Sequence, residues 1–314
     1  MSQSSRHKDD KIKEKSLRQD RLPSLIQCNL GNFQWLVFVN ILSFCLFIPM
    51  ISFAGPVITR GPLSKEKEMQ QPEQSRLNQK RPDALWILNW YGPDSGYMNN
   101  GGAKKSSTID HIKNATNGIL DQPSLSTIEG LLKTKEVKVN FPPKHAMIGM
   151  EGDWMIVNLG TRPDPAGGRN MSSRYGFADL NNFDTWQIIV INAPTNMKAI
   201  MSPAQDDYAQ IWINGQKWHN DSEWTGSPTE VDFDVEVDLK AGNNVLVYRC
   251  EESGGHEYAN LHFDRDTMQK VRIISDQAKT KAAFFDELSN LPILVSHRDR
   301  LVSFWADFKL ETGQ

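Results

Sequence analysis

Alternating apolar and polar residues mark the middle of the chain. Over residues 231–239 every second residue is apolar, and each residue between them is acidic. A period of two predicts a β-strand with one buried face and one face in solvent. Residues 208–213 alternate in a similar way and are followed at once by Asn214 and Gly215. Because both of these residues tolerate positive φ, the pair predicts a type I′ turn and therefore a β-hairpin.

Short segments of this kind recur throughout residues 83–264, with glycine, proline and asparagine between them. Strands at such spacing are typical of a β-sandwich or barrel, so we predict an all-β domain over 83–264. Single helical turns are expected within 107–119 and 126–133. The predicted strands are 83–92, 135–141, 153–159, 184–193, 197–201, 208–213, 216–219, 231–239, 245–248 and 258–263.

The N-terminal part of the chain has a different character. Residues 1–32 are polar and charged, which predicts a disordered tail. Residues 35–54 contain no charged residue, and an apolar helix of about 20 residues spans a bilayer. We therefore predict a membrane-spanning or signal helix over 33–54. The positive residues before it place the tail in the cytoplasm and the later domain outside. Small residues at Ser52 and Ala54 leave open signal cleavage near Ala54, and hence secretion.

Two further segments flank the predicted sandwich. Residues 55–82 combine four prolines with polar and charged residues, which predicts a flexible linker. Residues 265–314 form a C-terminal extension, in which residues 282–288 have helical spacing.

Composition argues against nucleic-acid binding and against a disulfide within the sandwich. Net charge is −3 and the isoelectric point is about 6.2, so the basic excess of a nucleic-acid-binding protein is missing. Of the three cysteines, Cys28, Cys45 and Cys250, only Cys250 lies in the predicted sandwich. The sandwich therefore contains no disulfide of its own, and its stability has to come from its core.

A family resemblance rests on three stretches. Asp206-Asp207 precedes Ile211-Trp-Ile-Asn-Gly215, and residues 237–247 read Val-Asp-Leu-Lys-Ala-Gly-Asn-Asn-Val-Leu-Val. Together they resemble galactose-binding-like jelly-roll domains of large exported bacterial proteins, and residues 85–93 are similar to the opening strand of those domains. Two positions depart from the pattern: Tyr208 replaces the usual glycine, and the closing strand 258–263 lacks Trp-Gly-Phe.

The resemblance implies a jelly-roll β-sandwich over 83–264. Such domains occur as sugar-binding modules, as accessory domains of glycoside hydrolases, and as modules with no known ligand. The fold alone therefore does not determine the function.

Aromatic residues next to polar ones supply the candidate ligand site. Trp218 and Trp224 flank a polar insertion that includes Glu223, and Tyr258 follows a Gly-Gly loop. Sugars offer apolar C–H faces to aromatic rings and hydroxyls to carboxylates. Trp218, Trp224, Tyr258 and Glu223 are therefore the candidate ligand-binding residues. The alternative is that Trp218 closes the core at the edge of the sandwich.

Asp206 and Asp207 have two interpretations. Aspartate side chains fix turns by accepting backbone hydrogen bonds, and loop carboxylates also ligate Ca²⁺. A structural calcium ion at Asp206 and Asp207 is the one candidate cofactor.

No motif for nucleotide binding or hydrolytic catalysis occurs in the sequence. We predict a non-catalytic binding or interaction module on the cell envelope, with carbohydrate as its candidate ligand. The alternatives are an accessory or catalytic domain of a glycan-degrading protein and a purely structural surface module. The expected partners are a glycan or another envelope protein, and the membrane through residues 33–54.

Overall fold

The computed structural model describes residues 58–64, 68–69, 79–159 and 168–291. The predicted tail over 1–32 and the predicted membrane-spanning or signal helix over 33–54 lie outside these residues. Within the described ranges, every helix is too short or too polar to cross a bilayer.

Two main β-sheets face each other. The smaller sheet has four strands, in the order β1 (Ile58–Arg60), β11 (Asp234–Leu239), β7 (Met197–Asp206) and β13 (Tyr258–Phe263). The larger sheet has the order β5 (Trp154–Asn158), β3 (Asn89–Pro93), β6 (Phe183–Ala193), β12 (Gly242–Glu251), β8 (Tyr208–Ile213) and β9 (Gln216–Asp221). Two short strands, β4 (Tyr97–Met98) and β14 (Arg272–Ile273), also pair with β6. A separate ribbon joins β2 (Gln79–Lys80) to β10 (Glu230–Val231).

The main core lies between the two sheets. On β11 the apolar residues Val235 and Val237 are buried in it, while Asp238 on the other face is exposed. From the larger sheet, Leu246 and Ile189 join the same core. The apolar face predicted for residues 231–239 is therefore confirmed, but the acidic face is only partly in solvent, because Asp232 and Asp234 are buried. The β-sandwich is confirmed.

A second core covers the outer face of the larger sheet, and the prediction of an all-β domain omitted it. Ile188 and Val247 on that face pack against Leu125 and Phe284 from helices. Strands that are apolar on both faces need a layer on each side, and residues 186–193 are of this kind. The described helices are α1 (Ala103–Ser106), α2 (His111–Ala115), α3 (Gln122–Leu125), α4 (Ile128–Lys133), α5 (Asn170–Ser173), α6 (Arg265–Lys270) and α7 (Lys281–Asn290).

Helices α2, α4 and α7 confirm the helical turns expected from sequence. Asp110, Thr127 and Thr280 cap them, each accepting a hydrogen bond from a backbone N–H in the first turn. Helix α7 packs Phe284 and Phe285 against Tyr91 of the larger sheet. The C-terminal extension is thus part of the domain as far as residue 291.

The stretch predicted as a flexible linker also contributes to the domain, which corrects the boundary at residue 83. Strand β1 pairs in parallel with β11, and the N–H of Leu63 donates to the carbonyl of Lys217 at 2.9 Å. A Cβ atom at Gly61 would lie 2.8 Å from the Trp218 ring, so this glycine packs directly on the indole. Residues 58–64 contain few large apolar side chains, so no alternation of apolar and polar residues marks β1 as an edge strand.

Candidate functional site

The structure separates the three candidate rings. Trp224 is 56% exposed, whereas Trp218 is 3% and Tyr258 is 0% exposed. The three rings therefore do not line one surface, and the core interpretation of Trp218 is the correct one. Every other tryptophan within the described ranges is buried, so Trp224 is the single tryptophan there with a ring open to solvent.

A shift in strand register explains the burial of Trp218. Ile211 on β8 pairs with His219 on β9, but the next residue, Trp212, pairs with Lys217. Trp218 is therefore the extra residue of a β-bulge, which re-aims a side chain relative to strict alternation. Its indole enters the core between the sheets. Tyr258 on β13 packs instead with the residues Trp86, Ala204 and Val231.

Trp224 lies on the loop between β9 and β10, and this loop is tied to the sandwich. The N–H of Thr225 donates to the carbonyl of Gln205 at 3.0 Å. The Gln205 side chain donates to the carbonyl of Glu223, also at 3.0 Å. The hydroxyl of Tyr258 lies 3.4 Å from that of Thr225. The buried Tyr258 thus contacts the loop from the interior of the domain, while Trp224 and Glu223 are exposed to solvent.

Asp207 has the turn-forming role. Its carboxylate accepts hydrogen bonds from the backbone N–H and the hydroxyl of Ser253, which fixes the loop between β12 and β13. Asp206 is buried, and burial together with the neighbouring Asp207 raises the pKa of Asp206 to about 8. A protonated carboxyl is a poor calcium ligand, and among the described residues no three acidic, histidine or cysteine side chains converge as a metal site. Calcium at this turn stays a prediction.

A buried serine–histidine–aspartate cluster went unnoticed in the sequence, because its members come from separate elements. Ser106 of α1 donates to Asp184 of β6, with 2.5 Å between Oγ and Oδ2. The same Oγ lies 2.7 Å from Nε2 of His111 on α2. Arg249 of β12 holds Asp184 by an ion pair of 2.8 Å. Burial and the positive Arg249 lower the pKa of His111 to about 3.

The order of these groups differs from that of a nucleophilic triad. In a triad the serine hydroxyl donates to histidine, and the carboxylate binds the other ring nitrogen. Here the Ser106 hydroxyl donates its hydrogen bond to Asp184, so that Oγ is left to accept one from Nε2 of His111. His111 therefore does not activate Ser106, and the cluster serves to join α1 and α2 to the larger sheet.

Comparison with known proteins finds little. No protein-family model matches the chain, and no curated protein matches it by sequence. A family 35 carbohydrate-binding module from an environmental isolate is 16% identical with a TM-score of 0.22, over 31% of this chain and 72% of that one. A family 35 module from Clostridium thermocellum is 18% identical with a TM-score of 0.20, over 35% of this chain and 93% of that one. TM-scores this low establish neither a shared fold nor a shared ligand.

Proposed function

We propose that this protein is a non-catalytic carbohydrate-binding module whose ligand stacks on Trp224. The observation that carries the proposal is the exposed indole of Trp224 on a loop held by backbone and side-chain hydrogen bonds to Gln205. The apolar C–H face of a sugar ring packs well on such a surface. Because the loop is already ordered, little conformational entropy is lost when the ligand binds.

Glu223 supports the same site. It is exposed and directly precedes Trp224, so its carboxylate can accept hydrogen bonds from sugar hydroxyls beside the indole. An aromatic platform with one adjacent polar group is the usual composition of a small-ligand site.

The arrangement of carboxylates favours binding over hydrolysis. Glycoside hydrolysis needs two carboxyl groups that face each other across a substrate. Asp184 and Glu251 are fully buried, and both form ion pairs with Arg249. Asp207 is engaged by Ser253. No two of these three carboxylates are therefore free to face each other across a bound sugar.

The cellular location is part of the proposal. The uncharged stretch 35–54 and the positive residues before it support a single membrane span, with the sandwich outside the cytoplasm. Cleavage near Ala54 and secretion is the alternative. Either location would expose the Trp224 loop to extracellular glycans.

Retention on polysaccharides tests the proposal. The full-length chain is run on columns of cellulose, xylan, mannan, galactan and pectin, next to its Trp224→Ala and Leu85→Ala variants. Leu85 is the matched control, because it is 60% exposed and is remote in sequence from the Trp224 loop. We expect the wild type and Leu85→Ala to be retained on at least one column.

The Trp224→Ala variant should lose that retention while its unfolding midpoint stays unchanged, since an exposed ring contributes little to the core. Full retention of Trp224→Ala would place the ligand elsewhere. If no column retains the wild type, the carbohydrate proposal fails and a structural surface module is favoured.

A further inference from the structure

A cleft of about 450 Å³ opens beside β4 and α1, in front of the Ser106–His111–Asp184 cluster. One wall is a stack of three rings. The Tyr97 ring lies between those of His111 and His145, with centroids 3.6 Å and 4.5 Å away and planes within 20° of parallel. Lys105 of α1 and Lys144 lie at the mouth of the same cleft.

The loop of residues 99–102, which lines one side of the cleft, is held in place by Asn99. Its side-chain amide donates to Asp184 and to the carbonyl of Glu252, at 2.8 Å and 2.9 Å. Its Oδ1 accepts from the backbone N–H groups of Gly101 and Gly102. The cleft therefore has a fixed outline before any ligand arrives.

The charge of the cleft is one-sided. Its lining includes Lys105 and Lys144 but no aspartate or glutamate, although the whole chain carries a net charge of −3. Neither lysine forms an ion pair with another residue in the described part of the chain. Some exposed lysines elsewhere on the domain pair with carboxylates, as Lys138 does with Asp153 and Lys198 with Glu236. The buried carboxylate of Asp184, which contacts the lining residues Asn99 and Ser106, is already paired with Arg249.

The type of cation in the cleft indicates the chemical class of the ligand. The fork of an arginine suits carboxylates and phosphates alike, whereas a lysine ammonium is a compact point charge that can meet an oxygen from any direction. Two lysines can therefore engage several oxygens of a tetrahedral sulfate or phosphate group at once. No arginine lines this cleft. The amide of Asn100 lies 3.1 Å from Nδ1 of His145, and both groups line the cleft as further polar groups.

We propose that this cleft binds a tetrahedral oxyanion, a sulfate or phosphate ester on a small or sugar-sized ligand, through Lys105 and Lys144. This site is separate from Trp224 and does not depend on stacking there. It gives the protein a second, charge-selective contact.

Titration calorimetry of the full-length chain tests the site with five probes: inorganic sulfate, inorganic phosphate, galactose 6-sulfate, glucose 6-phosphate and glucuronate. We expect binding of at least one sulfate or phosphate ester, weakened by added salt because the contact is ionic. Glucuronate should bind at least tenfold more weakly. The ranking of the sulfate and phosphate probes identifies the source of the oxyanion.

The variants separate a specific site from general charge attraction. Lys105→Ala with Lys144→Ala should raise the dissociation constant at least tenfold. The control pair is Lys240→Ala with Lys279→Ala, two exposed lysines outside the cleft, and it should bind as the wild type does. Trp224→Ala should also leave oxyanion binding unchanged, which distinguishes this site from the carbohydrate proposal. Equal loss in both lysine pairs, glucuronate binding as tight as the esters, or no binding of any ester by the wild type would overturn the proposal.

Discussion

Arg249 shows how a single buried charge joins two layers of this fold. Its guanidinium is fully buried and binds Asp184 and Glu251, each at 2.8 Å. It also donates to the carbonyls of Ile109 and Ser106 and to the side chain of Gln122. The contacts come from the larger sheet and from the segments around α1 to α3. Arg249 therefore fixes where the helical layer sits on the sheet.

Replacing this arginine should be severe. Arg249→Met leaves two carboxylates buried without their partner, and breaking a buried pair in this way costs about 3–5 kcal/mol. Urea unfolding followed by tryptophan fluorescence measures the loss. The control is Arg272→Met, which breaks an ion pair with Glu287 at a more exposed arginine and should cost less than about 1 kcal/mol. Similar losses in the two variants would contradict the role assigned to Arg249.

The candidate site was only partly predictable at this scale. Composition located the loop that carries Glu223 and Trp224, because aromatic and polar residues adjoin there. It did not separate Trp224 from Trp218, since the register shift opposite Ile211 decides which indole turns inward. The lysines of the oxyanion cleft come from distant segments, and no spacing in the sequence joins Lys105 to Lys144.

Among the elements, the hairpin of β8 and β9 was the easiest to predict. Asn214 and Gly215 have φ values of 52° and 84°, as a type I′ turn requires. The Gly215 N–H also donates to the hydroxyl of Ser126 at 2.9 Å, which ties the turn to the helical layer. The turn depends on the backbone preferences of Asn214 and Gly215 themselves, so it can be predicted without the rest of the chain.

The turn can be tested with one residue type at adjacent positions. Gly215→Val should destabilise the domain by about 1–3 kcal/mol, because a β-branched residue resists positive φ. Gln216→Val places the same side chain one residue later, at an exposed position of β9, where valine suits a strand. Thermal unfolding should show a lower midpoint for Gly215→Val alone. An unchanged midpoint in that variant would show that the turn does not constrain the fold.

The whole domain was predicted less completely than its strands. Alternation shows which strand face is buried, but it does not show what covers a strand that is apolar on both sides. Two residues that pack on the outer face of β6, Leu125 and Phe284, lie far apart in the sequence. Leu125 precedes β6 along the chain, and Phe284 follows it. Their joint packing depends on chain topology. For the same reason, the place of β1 in the sandwich could not be predicted from the sequence.

Buried carboxyl groups should make the stability of the whole domain depend on pH. Burial raises the pKa of both Asp206 and Glu252 to about 8, from about 4 in an unfolded chain. Between these values the folded state keeps protons that the unfolded state releases, so stability falls as pH rises. Each group contributes up to about 1.4 kcal/mol per pH unit. The window from pH 7 to 9 avoids His111, whose pKa is lowered by burial and which is neutral there in the folded state.

Urea unfolding at pH 7 and pH 9 measures this effect. The wild type should be less stable at pH 9. The double variant Asp206→Asn with Glu252→Gln should show a smaller difference, because neither amide titrates. A wild type that is equally stable at both values, or more stable at pH 9, would contradict the proton uptake assigned to these carboxyls.

Calorimetric titration of the full-length chain, with the polysaccharide that retains it, tests carbohydrate binding through Trp224. We expect measurable binding by the wild type and an affinity at least tenfold lower for Trp224→Ala, a loss of about 1.4 kcal/mol or more. The unfolding midpoints of the two proteins should agree. Equal affinity of the two proteins, or a lower unfolding midpoint for Trp224→Ala without a change in binding, would contradict it.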